Sequence, residues 1–244
     1  MNKDVEKLQE LIEAAGPQSI VFFGGAGVST ESGIPDFRSE DGLYRQKFKY
    51  PPEYMLSRSC FDQHTKDFFE FYYAKVLFFD AQPNAAHKKL AQLENEGKLI
   101  SVVTQNIDGL HQRAGSKAVF ELHGSILRNY CMSCNHFATG EEMLELRGED
   151  GIPHCPECGG TMKPDVVLYE EPLNSAVTRD AIESISRAEI LIVAGTSLVV
   201  YPAAGLIDDF NGKELIIINK QATSADRKAD LVIKEKVGEV LNFG

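Results

Sequence analysis

Three observations predict an α/β fold with a parallel sheet and one small inserted domain. Apolar runs of strand length recur at 19–23, 99–104, 119–122, 166–169, 190–194, 215–218 and 231–233, with helical patterns between them. Such alternation marks parallel β-α-β units. A turn with three glycines in four positions, Gly24, Gly25 and Gly27, follows the first run. Between 127 and 165 apolar periodicity gives way to four cysteines with scattered Gly and Pro, which reads as an insertion.

Val5, Leu8, Leu11 and Ile12 make a helical stripe that Gly16-Pro17 ends. Residues 40–64 read as irregular. The stretch 65–79 is so dense in Phe and Tyr that it predicts a helix buried on more than one side. Pro83-Asn84 opens another, with Asn84 as N-cap and Ala86, Leu90 and Leu93 facing the core. A helix is expected around 174–188 and another from about Tyr201.

A chain of 244 residues suffices for one large α/β domain with an insertion, or two modest domains. No apolar run reaches the roughly 18 residues of a membrane span. The N-terminus opens an amphipathic helix without a signal-peptide core, so a cytoplasmic protein with no membrane partner is expected. A net charge of −11 weighs against nucleic acid and suits a basic partner such as a lysine-bearing protein segment. The five cysteines form two close pairs and a single one, which points to metal binding in a reducing compartment.

Gly25-x-Gly27 begins the G-x-G-x-x-G dinucleotide fingerprint, but Thr30 stands at the third glycine position. The residues that follow can open a helix whose N–H groups and dipole receive a pyrophosphate; a glycine turn without ligand is the other reading. Behind the loop, Phe37 and Arg38 add an aromatic ring and a cation. Arg38 can meet a phosphate or carboxylate, or close a surface loop by pairing with Asp36.

Cys131-x2-Cys134 and Cys155-x2-Cys158 are separated by 20 residues, the spacing of a zinc ribbon. Two such turns complete a thiolate tetrahedron with no open position, so the zinc is expected to be structural. His136 and His154 are expected outside the ligand set, and Cys60 as a buried small hydrophobe.

Polar groups follow three further strands. Thr104-Gln105-Asn106-Ile107-Asp108-Gly109-Leu110-His111 comes after 99–103, His123-Gly124 after 119–122, and Gly195-Thr196-Ser197-Leu198 after 190–194. In a parallel sheet, ligands gather beyond the carboxyl ends of the strands. Asn106 and Asp108 can pair with an amide there, and His123 can be a base near neutral pH. Thr196, Ser197 and Asn219 can serve a phosphate or ribose. Taken singly, each is also an ordinary turn, cap or structural histidine.

As a set, these segments resemble the sirtuins, the NAD-dependent protein lysine deacylases, and bacterial members most of all. The likeness runs from about residue 4 to the C-terminus and keeps the family's motif order. Its carriers are Gly25 to Ser29, Gly33-Ile34-Pro35-Asp36-Phe37-Arg38, Thr104 to His111, His123-Gly124, the four cysteines and Gly195 to Leu198. The resemblance implies a Rossmann-like domain in three parts (1–39, 83–126, 166–244), a helical and cofactor-loop module (40–82) and a zinc-ribbon small domain (127–165). It implies NAD as cofactor, one structural Zn²⁺ per chain, and acetylated lysine-containing proteins or peptides as partners. It sets no oligomeric state, and a monomer is compatible with it.

By the same resemblance, Gly25, Ala26, Gly27, Thr30, Phe37, Arg38, Gln105, Ile107, Thr196, Ser197 and Asn219 line the cofactor site. Asn106 and Asp108 match the nicotinamide pocket, with Asp108 holding the carboxamide and Phe37 shielding the reactive ribose carbon. His123 matches the catalytic base. The implied reaction moves the acetyl group from lysine to ADP-ribose and releases nicotinamide. Mono-ADP-ribosyl transfer breaks the same bond and stays open, as does preference for another acyl group.

Val166, Val167 and Tyr169 match the family's substrate strand, where a peptide pairs main chain to main chain beside a loop at 198–201. The family often has Phe-Gly-Glu where this chain has Tyr169-Glu170-Glu171. Glu170 is expected either to alter the backbone or to favour basic residues around the lysine. Relatives that remove acidic acyl groups carry Tyr-x-x-Arg where Tyr72 and Lys75 stand. Lysine lacks the planar fork, so deacetylation is expected to dominate. The plainer reading is a packed Tyr72 and a solvated Lys75.

Overall fold

The computed structural model describes residues 2–37, 42 and 48–243. Helix α1 (Lys3–Ala14) begins where Asn2 accepts the Asp4 N–H, and it buries Leu8 and Ile12. Strand β1 (Ile20–Gly24) follows, with every residue buried. Two 3-10 turns come next, Ala26–Val28 and Thr30–Ser32, where the sequence suggested the start of a longer helix. The Gly27 N–H donates to Gly195 O across the sheet, and Thr30 Oγ1 donates to Gly27 O. These bonds compete with α-helical ones.

Helices α2 (Pro52–Met55) and α3 (Arg58–Gln63) occupy a stretch that read as irregular. They are too short to show a helical period. Pro52 in the first turn and the Ser57 N-cap start them. Helix α4 (Thr65–Lys75) buries Phe68, Phe69, Phe71 and Tyr72, as its aromatic density suggested. It stops short of Phe79, whose carbonyl, like that of Ala81, accepts from Arg113, at 3.0 and 2.7 Å. Helix α5 (Ala85–Asn95) starts at Asn84 with a capping box closed by His87.

Strand β2 (Leu99–Thr104), helix α6 (Leu110–Ala114) and strand β3 (Val119–Glu121) complete one half of the large sheet. The chain then builds β4 (Gly124–Cys131), β5 (Phe137–Thr139), α7 (Gly140–Glu145) and β6 (Met162–Val166). Helix α8 (Ser175–Arg187), capped by Asn174, leads into β7 (Ile190–Ala194). The helix expected near Tyr201 is a 3-10 segment, Ala203–Asp209, with Gly205 weakening any α-helical alternative. Strands β8 (Glu214–Ile218) and β9 (Leu231–Ile233) and helix α9 (Val237–Val240) end the fold.

Six parallel strands run in the order β3-β2-β1-β7-β8-β9. The pleat sends alternate side chains to opposite faces. Ile20, Phe22, Ile190, Ile192, Ile216 and Ile218 join α1, α5 and α9 on one face. Val21, Phe23, Leu191, Val193, Leu215 and Ile217 meet α8 on the other. Both faces are covered, so the strands read as continuous apolar runs. Each buried aliphatic or Phe side chain contributes roughly 1.5–3 kcal/mol. The antiparallel sheet β5-β4-β6 shares a third core with α2, α3 and α4, in which Cys131 and Cys155 touch the aromatic cluster.

Candidate functional site

Strands β1 and β7 are neighbours with Gly24 opposite Ala194, at the point where the strand order reverses. Chains leaving two such ends part and leave a crevice, the usual ligand site of doubly wound sheets. Here the loops close the crevice floor. Gly25 N–H donates to Ala194 O at 3.1 Å and Gly27 N–H to Gly195 O at 2.8 Å. A Cβ on Gly27 would lie 2.8 Å from Gly195 Cα, and one on Gly25 would lie 2.8 Å from Thr196 Cβ. Glycine is required at both positions for backbone to lie on backbone.

The segment after β2 joins this floor. Gln105 donates its main-chain N–H to Gly24 O at 2.9 Å and its Nε2 to Thr196 Oγ1 at 3.0 Å. Thr196 also takes the Leu198 N–H, at 3.2 Å. Ser29, nearly fully buried, donates its hydroxyl to Asp108 Oδ2 at 2.6 Å and accepts from Asn106 Nδ2 at 3.0 Å. The other Asp108 oxygen takes the Leu110 N–H at 2.9 Å. Burial pushes the Asp108 carboxyl up from its ordinary range, and the Ser29 and Leu110 bonds oppose that shift. Ala26 and Thr30 lie half-buried on the glycine loop. Phe37 and Ile107 both pack against the third core.

His123 sits in the turn between β3 and β4. Gly124 after it has φ +76° and faces the Asp165 backbone so closely that no Cβ fits. His123 Nδ1 lies 3.0 Å from Gln105 O. A carbonyl only accepts, so Nδ1 carries the proton and Nε2 keeps a free lone pair. Burial lowers the His123 pKa below 6.5, and the bond to Gln105 works against that. The ring is therefore neutral at pH 7. Asn219 and Ser197 lie beyond β8 and β7; Ser197 is exposed, and Asn219 Nδ2 donates to Gln221 O at 2.8 Å. Arg38 lies outside the described residues.

The 166–169 run is not one strand. Val166 ends β6, and the chain then turns out of the small sheet. Val167 N–H donates to His123 O at 2.9 Å, and Tyr169 forms an isolated bridge with Ser57. Glu170 adopts φ +77°, the left-handed region open to the glycine that the family often has here, so the backbone conformation is one that glycine also takes. Its carboxylate is bound to Ser59, which weighs against a free anion for basic flanks. Tyr72 is fully buried and stacked on Phe68, so it is a packed aromatic. Lys75 instead lies over Phe48 in a surface groove, 5.8 Å from the ring centroid.

The four cysteine sulfurs lie within 4.8 Å of one another. Neighbouring Sγ pairs are 3.4 Å (Cys131–Cys158), 3.4 Å (Cys134–Cys158) and 3.6 Å (Cys134–Cys155) apart. A zinc–sulfur bond of about 2.3 Å gives tetrahedral edges of about 3.8 Å, so the cluster fits Zn²⁺.

Two positioning groups escaped the sequence reading. Ser29 was within a motif but had no role attached. Asn84 caps α5 and also donates Nδ2 to Val28 O at 2.7 Å and to Ser32 Oγ at 3.1 Å, fastening the glycine loop. A cap with a spare amide donor was the available signal.

Comparison with known proteins identifies the family. The Sir2 family matches residues 25–202. An NAD-dependent protein deacetylase of Clostridium acetobutylicum is 60% identical over 240 residues, covering 97% of each chain. One of Clostridium perfringens is 57% identical, covering 99% of this chain and 98% of its own. A solved Sir2 enzyme superposes with a TM-score of 0.88 at 42% identity, covering 99% of this chain and 96% of the other. A Sir2 variant with deacetylated p53 peptide and 3′-O-acetyl ADP ribose also gives 0.88, at 38% identity, covering 97% and 95%. With a strand-end constellation of this kind on a Rossmann-like sheet, the chain belongs to the Sir2 family of sirtuins.

Proposed function

We infer that this protein is an NAD-dependent protein lysine deacetylase, which transfers acetyl from lysine to ADP-ribose and releases nicotinamide. The observation that carries the reading is the neutral His123, with Nε2 free, beside the buried Ser29–Asn106–Asp108 cluster at the sheet's switch point. Relatives of 55–60% identity are NAD-dependent protein deacetylases; one similar Sir2 structure holds p53 peptide with NAD, and others hold an acetylated or a propionylated peptide.

NAD, when bound, supplies an electrophilic ribose carbon with nicotinamide as leaving group. The donor set fits it. Gly25, Ala26, Gly27, Thr30, Thr196 and Ser197 would receive the phosphates, Asn219 and Gln105 the ribose, and Ile107 and Phe37 would give apolar walls. Asp108 accepts from the carboxamide, and Asn106 pairs beside it. Ser29 holds the Asp108 carboxylate in place, because its donated proton favours the ionised form. His123 Nε2 would act as the base toward the sugar hydroxyls, with Gln105 O steadying the protonated ring through Nδ1–H. The four cysteines hold Zn²⁺, which supplies only cross-linking of the small sheet.

Of Val166, Val167 and Tyr169, Val167 keeps its C=O for the peptide while the other two anchor the segment within the chain, and Lys75, which lacks the planar fork of arginine and lies over Phe48, is a poor clamp for an acidic acyl group. Acetyl is therefore the favoured acyl group. The module boundaries follow the chemistry: cofactor residues on 1–39, 83–126 and 166–244, the helical module on 40–82, and zinc on 127–165. No helix among the described residues is long and apolar enough to cross a membrane. The four-thiolate set, which fits a metal and forms no disulfide, supports a cytoplasmic setting. NAD-dependent loss of acetyl mass from a peptide tests the reading, and a gain of ADP-ribose on protein would replace it with transfer.

A further inference from the structure

The backbone between β6 and α8 is used almost completely within the chain. Val167 N–H goes to His123 O (2.9 Å), Tyr169 N–H to Leu56 O (3.0 Å), and Tyr169 O receives Arg58 N–H (3.0 Å). Leu168 gives its N–H to the Glu171 carboxylate at 2.9 Å and takes the Glu171 N–H at 3.0 Å. Among the described residues, this leaves Val167 C=O and both main-chain groups of Glu170 without a partner. A peptide pairing main chain to main chain here must use those groups.

Glu170 is also conformationally unusual. At φ +77° it occupies the left-handed region that glycine enters freely and a side-chain-bearing residue enters only at an energetic cost. Something must hold it there. Its Oε2 accepts from the Ser59 N–H at 2.8 Å and from the Ser59 hydroxyl at 2.7 Å, in the first turn of α3. The neighbouring Glu171 carboxylate reaches Arg58 of α3 at 3.2 Å and Lys163 of β6 at 3.1 Å. The helical module thus grips the segment at two adjacent carboxylates.

We propose that Glu170 is a positioning residue for the peptide substrate: its carboxylate–Ser59 latch holds residue 170 in the left-handed conformation that aims its own N–H and C=O at the peptide main chain. The proposal rests on the reading of 166–170 as the peptide-binding edge. It predicts that affinity for peptide, rather than for NAD, depends on a serine that lies on another module.

The test uses the zinc-loaded full chain, an acetyl-lysine peptide and NAD. Ser59→Ala and Glu170→Ala each raise the peptide KM about 3- to 10-fold, the loss expected for roughly one ordinary hydrogen bond. The NAD KM and kcat stay within twofold. Glu170→Gln, which keeps the acceptor oxygen, restores the wild-type peptide KM, and the double Ser59→Ala/Glu170→Ala variant is no worse than either single one. Glu170→Gly stays close to wild type, because glycine holds the conformation unaided. An unchanged peptide KM in Ser59→Ala and Glu170→Ala overturns the latch, as does an equal rise in the NAD KM. Hydrogen exchange over 167–171 separates the two levels. Peptide-dependent protection with an unchanged KM overturns the latch alone, whereas absence of protection overturns the peptide edge itself.

Discussion

His123 donates its Nδ1 proton to the main-chain oxygen of Gln105 across 3.0 Å. Gln105 is itself fastened to Gly24 and Thr196, so the tautomer of the base is set by the same residue that joins three strand ends. His123→Ala is expected to lower kcat/KM by about 10²- to 10⁴-fold with the fold retained. Circular dichroism and steady-state kinetics on the same sample check both parts.

The acid limb of the rate profile follows from the same ring. The base works in its neutral form, and burial lowers its pKa below 6.5. Activity should therefore persist as pH falls to 6.5 and decline only below it. A kcat/KM profile whose acid limb already falls above pH 7 would assign the limb to another group.

The expected strands were legible where burial is two-sided. Ile20 to Phe23, Leu99 to Thr104 and Ile190 to Ala194 read as unbroken apolar runs because helices cover both faces. Helices α2, α3 and α6 were not legible, because four to six residues complete too little of a period. The site's residue types were legible through strand-end placement and family likeness. Its internal wiring was not: Ser29 to Asp108 spans 79 positions, and only the β1–β2 pairing brings them together.

Ser29→Ala removes the proton that favours Asp108 as a carboxylate. Stability should fall by about 1–3 kcal/mol, the usual loss for a bond to a charged group. The NAD KM should rise while the peptide KM changes less. Denaturant midpoints and the two KM values, measured on one preparation, decide it.

Gly27→Ala places a methyl 2.8 Å from Gly195 Cα, against backbone that cannot rotate away. A loss of about 1–3 kcal/mol is expected, with weaker NAD binding. A thermal shift with and without NAD reads both effects.

The His87 and His111 rings meet at a tilt, 4.7 Å apart between α5 and α6, and both are almost wholly buried. Burial lowers His87 to about 4 and His111 well below 6.5. The folded state keeps these rings neutral while the unfolded chain protonates near 6.5. Stability is thus full above 6.5 and falls as pH drops towards 4, by about 1.4 kcal/mol per pH unit for each ring. His111→Leu removes a ring whose two nitrogens lack partners among the described residues, and should flatten that slope. Urea midpoints at pH 7, 6 and 5 compare the two proteins.

The most direct measurement is mass spectrometry of an acetyl-lysine peptide incubated with the zinc-loaded protein, with and without NAD, beside His123→Ala. The account predicts loss of the acetyl mass only with NAD and wild-type protein, with O-acetyl-ADP-ribose as co-product. Persistence of the acetyl group beside a gain of ADP-ribose on protein, or equal turnover by His123→Ala, would contradict it.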